Sequence, residues 1–194
     1  MDFQIPIDRH NRLVIPSIDH AEELFALVDT NRDHLGKFLA WVPHNKTVQD
    51  SIDFIKSRDH EDTYSGKYAL LILQNGKIAG IIDFHKGKRS PKSLEIGYWL
   101  SKSFSGKGLM TKACAALIDF AYKNSDVNRI VICCATKNFK SQAIPERLGF
   151  TKEGVGRQYG LLNGEHFDVN VNSILRSEWE SQQIANRYIE SEAS

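Results

Sequence analysis

A polar segment with two glycines in the middle of the chain has the composition of an anion-binding loop. It covers residues 101–108, Ser-Lys-Ser-Phe-Ser-Gly-Lys-Gly, and apolar residues at helical spacing begin at Leu109. A loop that opens a helix directs free backbone N–H groups at one point, and the helix dipole adds about half a positive charge there. Gly106 and Gly108 would let the backbone approach a ligand closely. We therefore predict a pyrophosphate site at this helix start.

Lysines are concentrated around this predicted site, although the whole chain carries a net charge of only +1. They lie on the loop, on the following helix and in the next strand–helix connection: Lys102, Lys107, Lys112, Lys137 and Lys140. From spacing alone, an ordinary solvated helix start with surface lysines remains the alternative, because two glycines are a weak signal. A Walker A loop is excluded, since Gly106-Lys107 is followed by Gly108 rather than by serine or threonine.

The elements that position this loop follow from the spacing of the apolar residues. A strand at 94–100 precedes it, and an amphipathic helix at 109–124 follows it. Residues 129–135 are an apolar run that is typical of a buried strand in a parallel pairing. Upstream, Asn75-Gly76 separates two apolar runs and predicts a tight hairpin between strands at 67–74 and 77–84.

The order of the remaining elements excludes a strict βα alternation. The other predicted elements are strands at 12–15, from 150 and at 165–173, and helices at 21–28, 32–41, after Thr47, at 141–148 and at 177–189. Asp19 and Thr47 are the predicted caps of the first and third helices. Asn163-Gly164 predicts a second hairpin turn, and 86–92 a basic loop. This order favours a mixed α+β fold, antiparallel early and with one parallel crossover.

Composition excludes several classes of protein. At ~150 residues per domain, 194 residues correspond to one domain, and 41% hydrophobic with 25% charged residues is typical of a globular chain. The near-neutral charge argues against a nucleic-acid or membrane-surface partner. With neither an apolar run of roughly 18 residues nor a signal-peptide pattern, we expect a cytoplasmic protein. Three cysteines and seven histidines without ligand spacing predict no disulfide framework and no metal site.

Several ordered motifs resemble the GNAT N-acetyltransferases, in particular the RimJ/RimL-like group that acetylates protein N-termini, notably those of ribosomal proteins. The resemblance covers about residues 10–176. The motifs that carry it are Glu95-Ile96-Gly97-Tyr98-Trp99-Leu100, Ser105-Gly106-Lys107-Gly108-Leu109-Met110, Trp41-Val42-Pro43, Asn138-x-x-Ser141, and Arg147-Leu148-Gly149-Phe150 followed by Glu153-Gly154.

The resemblance implies a GNAT domain over 1–176 with a C-terminal helical extension over 177–194. The expected sheet is mixed and mostly antiparallel, with flanking helices and one parallel pair that splays. The implied reaction moves the acetyl group of acetyl-CoA to a primary amine, foremost the N-terminal α-amino group of a ribosomal protein. The alternatives are a small amine, such as a polyamine or an aminoglycoside, and a non-catalytic acyl-CoA-binding module.

The same resemblance implies roles for individual residues. The implied acetyl-CoA contacts are Trp99, Leu100, Ser105, Gly106, Lys107, Gly108, Leu109, Met110, Thr111, Asn138 and Ser141. The backbone N–H near Trp99 or Leu100 would stabilise the developing oxyanion. Glu95 would be a general base acting through water, and its alternative is a solvent-facing carboxylate. Ser141 would protonate the CoA thiolate, and its alternative is a helix N-cap.

Four positions depart from the pattern of the family. Ser105 stands where glutamine or arginine is usual, and Met110 stands where glycine or alanine is commoner. Pro145 lies within the predicted helix at 141–148 and should distort it. Gly160 replaces a glutamate that is proposed as general base in some relatives, so Glu95 becomes the candidate.

Three further expectations concern single side chains and the oligomeric state. Cys134 is either a core residue or close enough to the CoA thiol for a mixed disulfide under oxidising conditions. Trp41 is the aromatic residue expected to line an acceptor cleft. A homodimer is predicted because the strand at 165–173 lies near the last sheet edge, and because the final helix carries large apolar residues. These are Trp179, Ile184 and Tyr188.

Overall fold

One mixed sheet organises the chain in the computed structural model, which describes residues 3–58, 68–86 and 92–192. Its strands are β1 (Gln4–Pro6), β2 (Asn11–Val14), β3 (Tyr68–Gln74), β4 (Lys77–Lys86), β5 (Ser93–Leu100), β6 (Arg129–Ala135), β7 (Thr151–Leu162) and β8 (Glu165–Leu175). The order across the sheet is β1-β2-β3-β4-β5-β6-β8-β7. Every neighbouring pair is antiparallel except β5 and β6, which confirms the predicted mixed fold.

The parallel pair opens into a gap near the centre of the sheet. Residues 93–95 of β5 pair with 129–131 of β6, and the ladder ends at Glu95–Val131 although both strands continue. β5 stays paired with β4 as far as Leu100. The backbone groups of β5 that face β6 beyond Glu95 therefore have no strand partner in the ladder, as the predicted splay requires.

Helices cover both faces of the sheet. They are α1 (Ala21–Asp29), α2 (Arg32–Leu35), α3 (Val48–Lys56), α4 (Leu109–Asn124), α5 (Phe139–Arg147) and α6 (Arg176–Glu192). One buried cluster joins α4 and the start of α6 to side chains such as Leu94 and Ile96, and the other joins α1–α3 to Ile81 and Trp99. Successive residues of β5 thus contribute to opposite cores.

The structure confirms several predictions that rested on short stretches of sequence. Asn75 and Gly76 have φ values of 50° and 79°, as a two-residue hairpin turn requires, and Asn163-Gly164 repeats this geometry. α4 and β6 have the predicted bounds. Thr47 caps α3 in a capping box with Asp50, whose carboxylate accepts the Thr47 N–H at 2.8 Å.

Other local predictions were wrong. β1 was missed, and the helix predicted at 32–41 ends at Leu35. Ser17, not Asp19, is the N-terminal cap before α1, through a short 3-10 helix. α5 begins at Phe139, and Asn138 rather than Ser141 caps it. The basic loop predicted at 86–92 falls at residues 87–91 outside the described residues.

β8 and α6 are more buried than the sequence predicted. β8 lies between β6 and β7, so β7 is the edge strand, and Asn170 and Asn172 of β8 are buried although they are polar. Trp179 is buried against the domain, and its Nε1–H donates to the Asp119 carboxylate at 2.7 Å. The Ile184 side chain is exposed, and the side chain of Tyr188 lies outside the description. The division at residue 176 stays a prediction.

Across residues 3–58, 68–86 and 92–192, no helix combines the length and apolar composition needed to cross a membrane.

Candidate active site

The loop before α4 is an open cradle of backbone amides. Gly108 is the N-cap of α4 with φ 76°, and Gly106 has φ 79°. The first hydrogen bond of the helix runs from Lys112 N–H to Gly108 O, so the N–H groups of residues 109–111 point out of the helix start. A Cβ at either glycine would meet no described atom within 4 Å. The cradle therefore has free donors and free space, which fits a pyrophosphate.

The lysines around the cradle are partly engaged by the protein. The Lys112 ammonium lies 3.0 Å from the Asp8 carboxylate, and Lys107 Nζ donates to Ser103 O at 2.9 Å. Hydrogen bonds from the His10 backbone and from Lys112 lower the pKa of Asp8 to about 2, so Asp8 is ionised. Ser105 Oγ donates to Ser101 O at 3.0 Å and fixes the loop from inside. The backbone amides, more than the lysines, remain available to a ligand.

The gap between β5 and β6 offers the Leu100 amide. Ser101 N–H donates to Ala79 O of β4 at 2.9 Å. Because successive amides of a strand point to opposite sides, Leu100 N–H points toward β6, where the ladder has ended, and Trp99 N–H points toward β4. Of the two expected donors, the geometry favours Leu100. His34, which the sequence did not suggest, hydrogen-bonds the Leu100 backbone, and burial lowers the pKa of His34.

Ser141, Tyr98 and Cys134 meet beside this gap. Ser141 Oγ lies 3.0 Å from the Tyr98 hydroxyl oxygen and donates to Cys134 Sγ at 3.2 Å. Ser141 N–H donates to the Asn138 side-chain oxygen at 3.2 Å, which is the cap of α5. Burial raises the pKa of both Tyr98 and Cys134, so both side chains are protonated near neutral pH. Ser141 is therefore surrounded by neutral groups.

A cleft of about 510 Å³ lies on the other face of β5, between the sheet and the helices α1 and α3. Trp41 lines it, as expected, and its ring centroid lies 5.9 Å from that of Trp99. The floor carries the pair Asp83 and His85, with Nε2 of the histidine 3.2 Å from the carboxylate. The hydrogen bond to Asp83 raises the pKa of His85. The cleft thus combines aromatic walls with a polar pair.

The side chains of Asp83 and His85 occupy space that is open because Gly97 has no side chain. A Cβ at Gly97 would lie 2.4 Å from the Asp83 carboxylate and 2.7 Å from His85 Nε2. Glu95 pairs with His85 across the strands, and it faces the same side as Gly97 and Trp99. Glu95 and Ser141 consequently approach the gap from opposite faces of the sheet. The pair of Asp83 and His85 was not identified from the sequence. Its one indication in the sequence is that two polar residues lie on the same face of an otherwise apolar strand.

Within the described residues, no group of three or more histidine, cysteine, aspartate or glutamate side chains could hold a metal ion.

Comparison with known proteins gives one consistent result. Residues 12–151 match the family described as the acetyltransferase (GNAT) domain. The chain is 34% identical over 184 residues to the "putative ribosomal N-acetyltransferase YdaF" of Bacillus subtilis, across 93% of this chain and 100% of that protein.

Solved structures give the same result. One neighbour is the microcin C7 self-immunity acetyltransferase MccE in complex with acetyl-CoA and AMP, with a TM-score of 0.81, 34% identity, and coverage of 87% of this chain and 94% of that chain. Another is RimL, a ribosomal L7/L12 alpha-N-protein acetyltransferase with CoA in a disulfide to a cysteine. It has a TM-score of 0.81, 29% identity, and coverage of 89% and 98%.

Proposed function

The chain belongs to the GNAT acetyltransferases and is an acetyl-CoA-dependent N-acetyltransferase, and we propose that its acceptor is the N-terminal α-amino group of a ribosomal protein. The observation that carries this proposal is the likeness, over nearly the whole chain, to an enzyme described as a ribosomal alpha-N-protein acetyltransferase. A ribosomal acceptor would place the reaction in the cytoplasm, as the sequence predicts.

The lining of the cleft favours a peptide over a polycation as the acceptor substrate. Its walls are largely apolar, with Trp41, Phe54 and Trp99 among the lining residues. The carboxylates of Asp50 and Asp83 line it together with the guanidinium of Arg58, and the Asp50 carboxylate already accepts the Lys46 and Thr47 N–H groups. A polyamine would need several uncompensated carboxylates, whereas one extended N-terminal residue needs apolar contact and one acceptor for its ammonium group. The described lining therefore suits a chain terminus better.

Two parts of the chain would hold the thioester. The amides of residues 106–111 would bind the pyrophosphate of acetyl-CoA, and Asn138 would contact the pantetheine. Leu100 N–H would then donate to the thioester carbonyl oxygen and stabilise the negative charge that develops there during attack by the amine. This donor is fixed by the β4–β5 ladder, so it needs no reorganisation when charge develops.

Glu95 and Ser141 would move the protons. Glu95 would take the amine proton through ordered water, because five residue-to-residue steps of about 3.3 Å each separate it from Leu100 along the strand. His85 lies opposite Glu95, and Asp83, 3.2 Å from His85, lies opposite Gly97 on the same face, so this pair would shorten the path of the proton. On the opposite face, the Ser141 hydroxyl would protonate the CoA thiolate as the C–S bond breaks.

The ring of Phe167 occupies the space that a side chain at Gly160 would need. A Cβ at this position would lie 2.1 Å from Cζ of Phe167, which pairs with Gly160 across the β7–β8 ladder. A glutamate here would have to displace that ring. This contact supports Glu95 as the base in this chain.

A small amine is the second candidate acceptor, and one observation favours it. The neighbour MccE is described in complex with AMP, and the pair of Trp41 and Trp99 in the cleft offers aromatic faces to a planar ring. On this alternative, AMP would compete with the acceptor for the cleft.

A panel of acceptors should separate these possibilities. We expect CoA release with peptides that begin with serine, alanine or methionine to exceed, by about a hundredfold in kcat/KM, release with a polyamine or an aminoglycoside. The same peptides with a blocked N-terminus are the control and should give no release. Faster turnover of the small amines, or strong inhibition by AMP, would shift the assignment to the second candidate.

We also propose a homodimer, now on different grounds from the sequence. β7 is the edge strand of the sheet, and its Val155 and Leu161 side chains are 50% and 56% exposed. Sedimentation at micromolar concentration should show a species of twice the 22.0 kDa chain mass. Val155→Lys with Leu161→Lys should convert it to monomer. A single 22.0 kDa species for the unchanged protein would refute the dimer.

A further inference from the structure

A proline in α5 leaves one carbonyl of the helix without its usual donor. In a regular helix the N–H of residue 145 would donate to the carbonyl of Ser141, but Pro145 has no N–H. α5 nevertheless continues to Arg147, so the predicted distortion of the helix does not occur. The Ser141 carbonyl therefore needs a donor from outside the helix.

The Tyr98 hydroxyl supplies this donor. Its oxygen lies 3.1 Å from Ser141 O and 3.0 Å from Ser141 Oγ. A carbonyl can only accept, so the single proton of Tyr98 goes to Ser141 O, and the Tyr98 oxygen is then one of two acceptors, with Cys134 Sγ, for the single proton of Ser141 Oγ. One tyrosine thus contacts both the backbone and the side chain of the same serine.

This arrangement determines what the Ser141 hydroxyl can do. Serine hydroxyls inside helices commonly donate to a carbonyl one turn earlier, which would remove the proton from the site. Here the contacts of Ser141 Oγ are the Tyr98 oxygen and Cys134 Sγ, both weak acceptors on neutral groups. A thiolate is a stronger acceptor than either. The hydroxyl proton is therefore free to move to a thiolate that forms nearby.

We propose that Tyr98 is a positioning residue, which uses the carbonyl freed by Pro145 to hold the Ser141 hydroxyl as a proton donor. The inference rests on the role of Ser141 in the proposed function. It assigns no proton transfer to Tyr98, whose burial keeps its pKa far above neutral pH. The contact links β5 to α5 across 43 residues of sequence and lies at the gap where the thioester is expected.

A kinetic cycle tests whether Tyr98 acts through Ser141. Tyr98→Phe should lower kcat by about tenfold, the loss of one hydrogen bond, and leave KM for acetyl-CoA unchanged. In a Ser141→Ala background, Tyr98→Phe should cause no further loss. An equal loss in both backgrounds would overturn the inference. Full kcat in Ser141→Ala alone would instead remove Ser141 from the proposed function.

Thermal unfolding without acetyl-CoA tests the contact independently of activity. Tyr98→Phe leaves the Ser141 carbonyl without a donor in the normal chain, but in a Pro145→Ala chain the new N–H of residue 145 can donate to it. The loss of Tm caused by Tyr98→Phe should therefore be at least halved in the Pro145→Ala background. Equal losses of Tm in the two backgrounds would overturn the inference, whatever the kinetics show.

Tyr122→Phe is the matched control for both cycles. Its hydroxyl also donates to a backbone carbonyl, that of Ile174 at 2.9 Å, in the core between α4 and β8. We expect this variant to lose Tm by the same amount in the normal chain and in the Pro145→Ala chain, and to retain kcat. If Pro145→Ala reduced the Tm loss of Tyr122→Phe as much as that of Tyr98→Phe, the measurement would not report on the Ser141 carbonyl. That result would overturn the inference.

Discussion

Replacing Gly108 with valine should weaken acetyl-CoA binding by about a hundredfold. Gly108 has φ 76°, in the left-handed region where a β-branched residue is strained by about 1–3 kcal/mol. Its missing Cβ also faces open space in front of the cradle, where the pyrophosphate is expected. The strain lets the free loop relax away from this conformation, which binding must then restore, and in the complex the added Cβ would crowd the pyrophosphate, so both effects weaken binding. Calorimetric titration with acetyl-CoA measures the loss.

Two control variants show whether the loss of affinity comes from the amide cradle itself, from backbone strain alone or from the lysine charge. Gly76→Val imposes the same strain at φ 79° in the β3–β4 turn, so it should lower Tm without changing acetyl-CoA affinity. Lys107→Ala should weaken binding by less than about tenfold, and increasingly less as salt is added. Equal losses for Gly108→Val and Lys107→Ala, or none for Gly108→Val, would place the pyrophosphate elsewhere.

Glu95→Gln should lower kcat by about a hundredfold, at the low end of general base catalysis. The glutamine side chain keeps the size of the glutamate and one of its two accepting oxygens but takes up no proton, so affinity for acetyl-CoA should not change. Without a base the amine must lose its proton to bulk water. Because an α-amine has a pKa of about 8, the pH optimum should move upward. A pH profile of kcat records both effects.

The control for Glu95→Gln is Glu180→Gln, the same change on α6, where the carboxylate is exposed and lies 3.7 Å from Arg176. It should leave the profile unchanged. If Glu95→Gln retained full kcat between about pH 6.5 and about pH 8.5, the proton would leave by another path. His85 and Asp83, which face Glu95 from β4, would then be the next candidates.

Short-range chemistry explains what the sequence predicted well. Asn75-Gly76 forces a hairpin because both residues adopt positive φ, and few other structures tolerate that pair of conformations. α4 was placed because its apolar stripe is long and because a loop with two glycines precedes it. The pyrophosphate cradle is such a local feature, since the helix start that forms it is contiguous in the chain.

Long-range contacts explain what the sequence could not predict. Ser141 resembled an N-cap, but Asn138, three residues earlier, takes that place and leaves Ser141 free to meet Tyr98. The Asp83–His85 pair depends on the β4–β5 register and on the space at Gly97. Asn170 alternates with apolar residues along β8, as a polar residue on an exposed face would, but it is buried and its side chain donates to Gln142 of α5 at 2.6 Å. Alternation along one strand cannot reveal which neighbours cover it.

The nitrogen that receives the acetyl group distinguishes an N-terminal acceptor from any other amine of the same peptide. A peptide with a free N-terminus and one internal lysine, incubated with acetyl-CoA and the enzyme, can be mapped by fragment-ion mass spectrometry. We predict one acetyl group per peptide, on the α-amino nitrogen, and about a hundredfold slower acetylation by Gly108→Val at an acetyl-CoA concentration far below saturation. Acetylation of the lysine, or an unmodified peptide from an enzyme that binds acetyl-CoA, would contradict it.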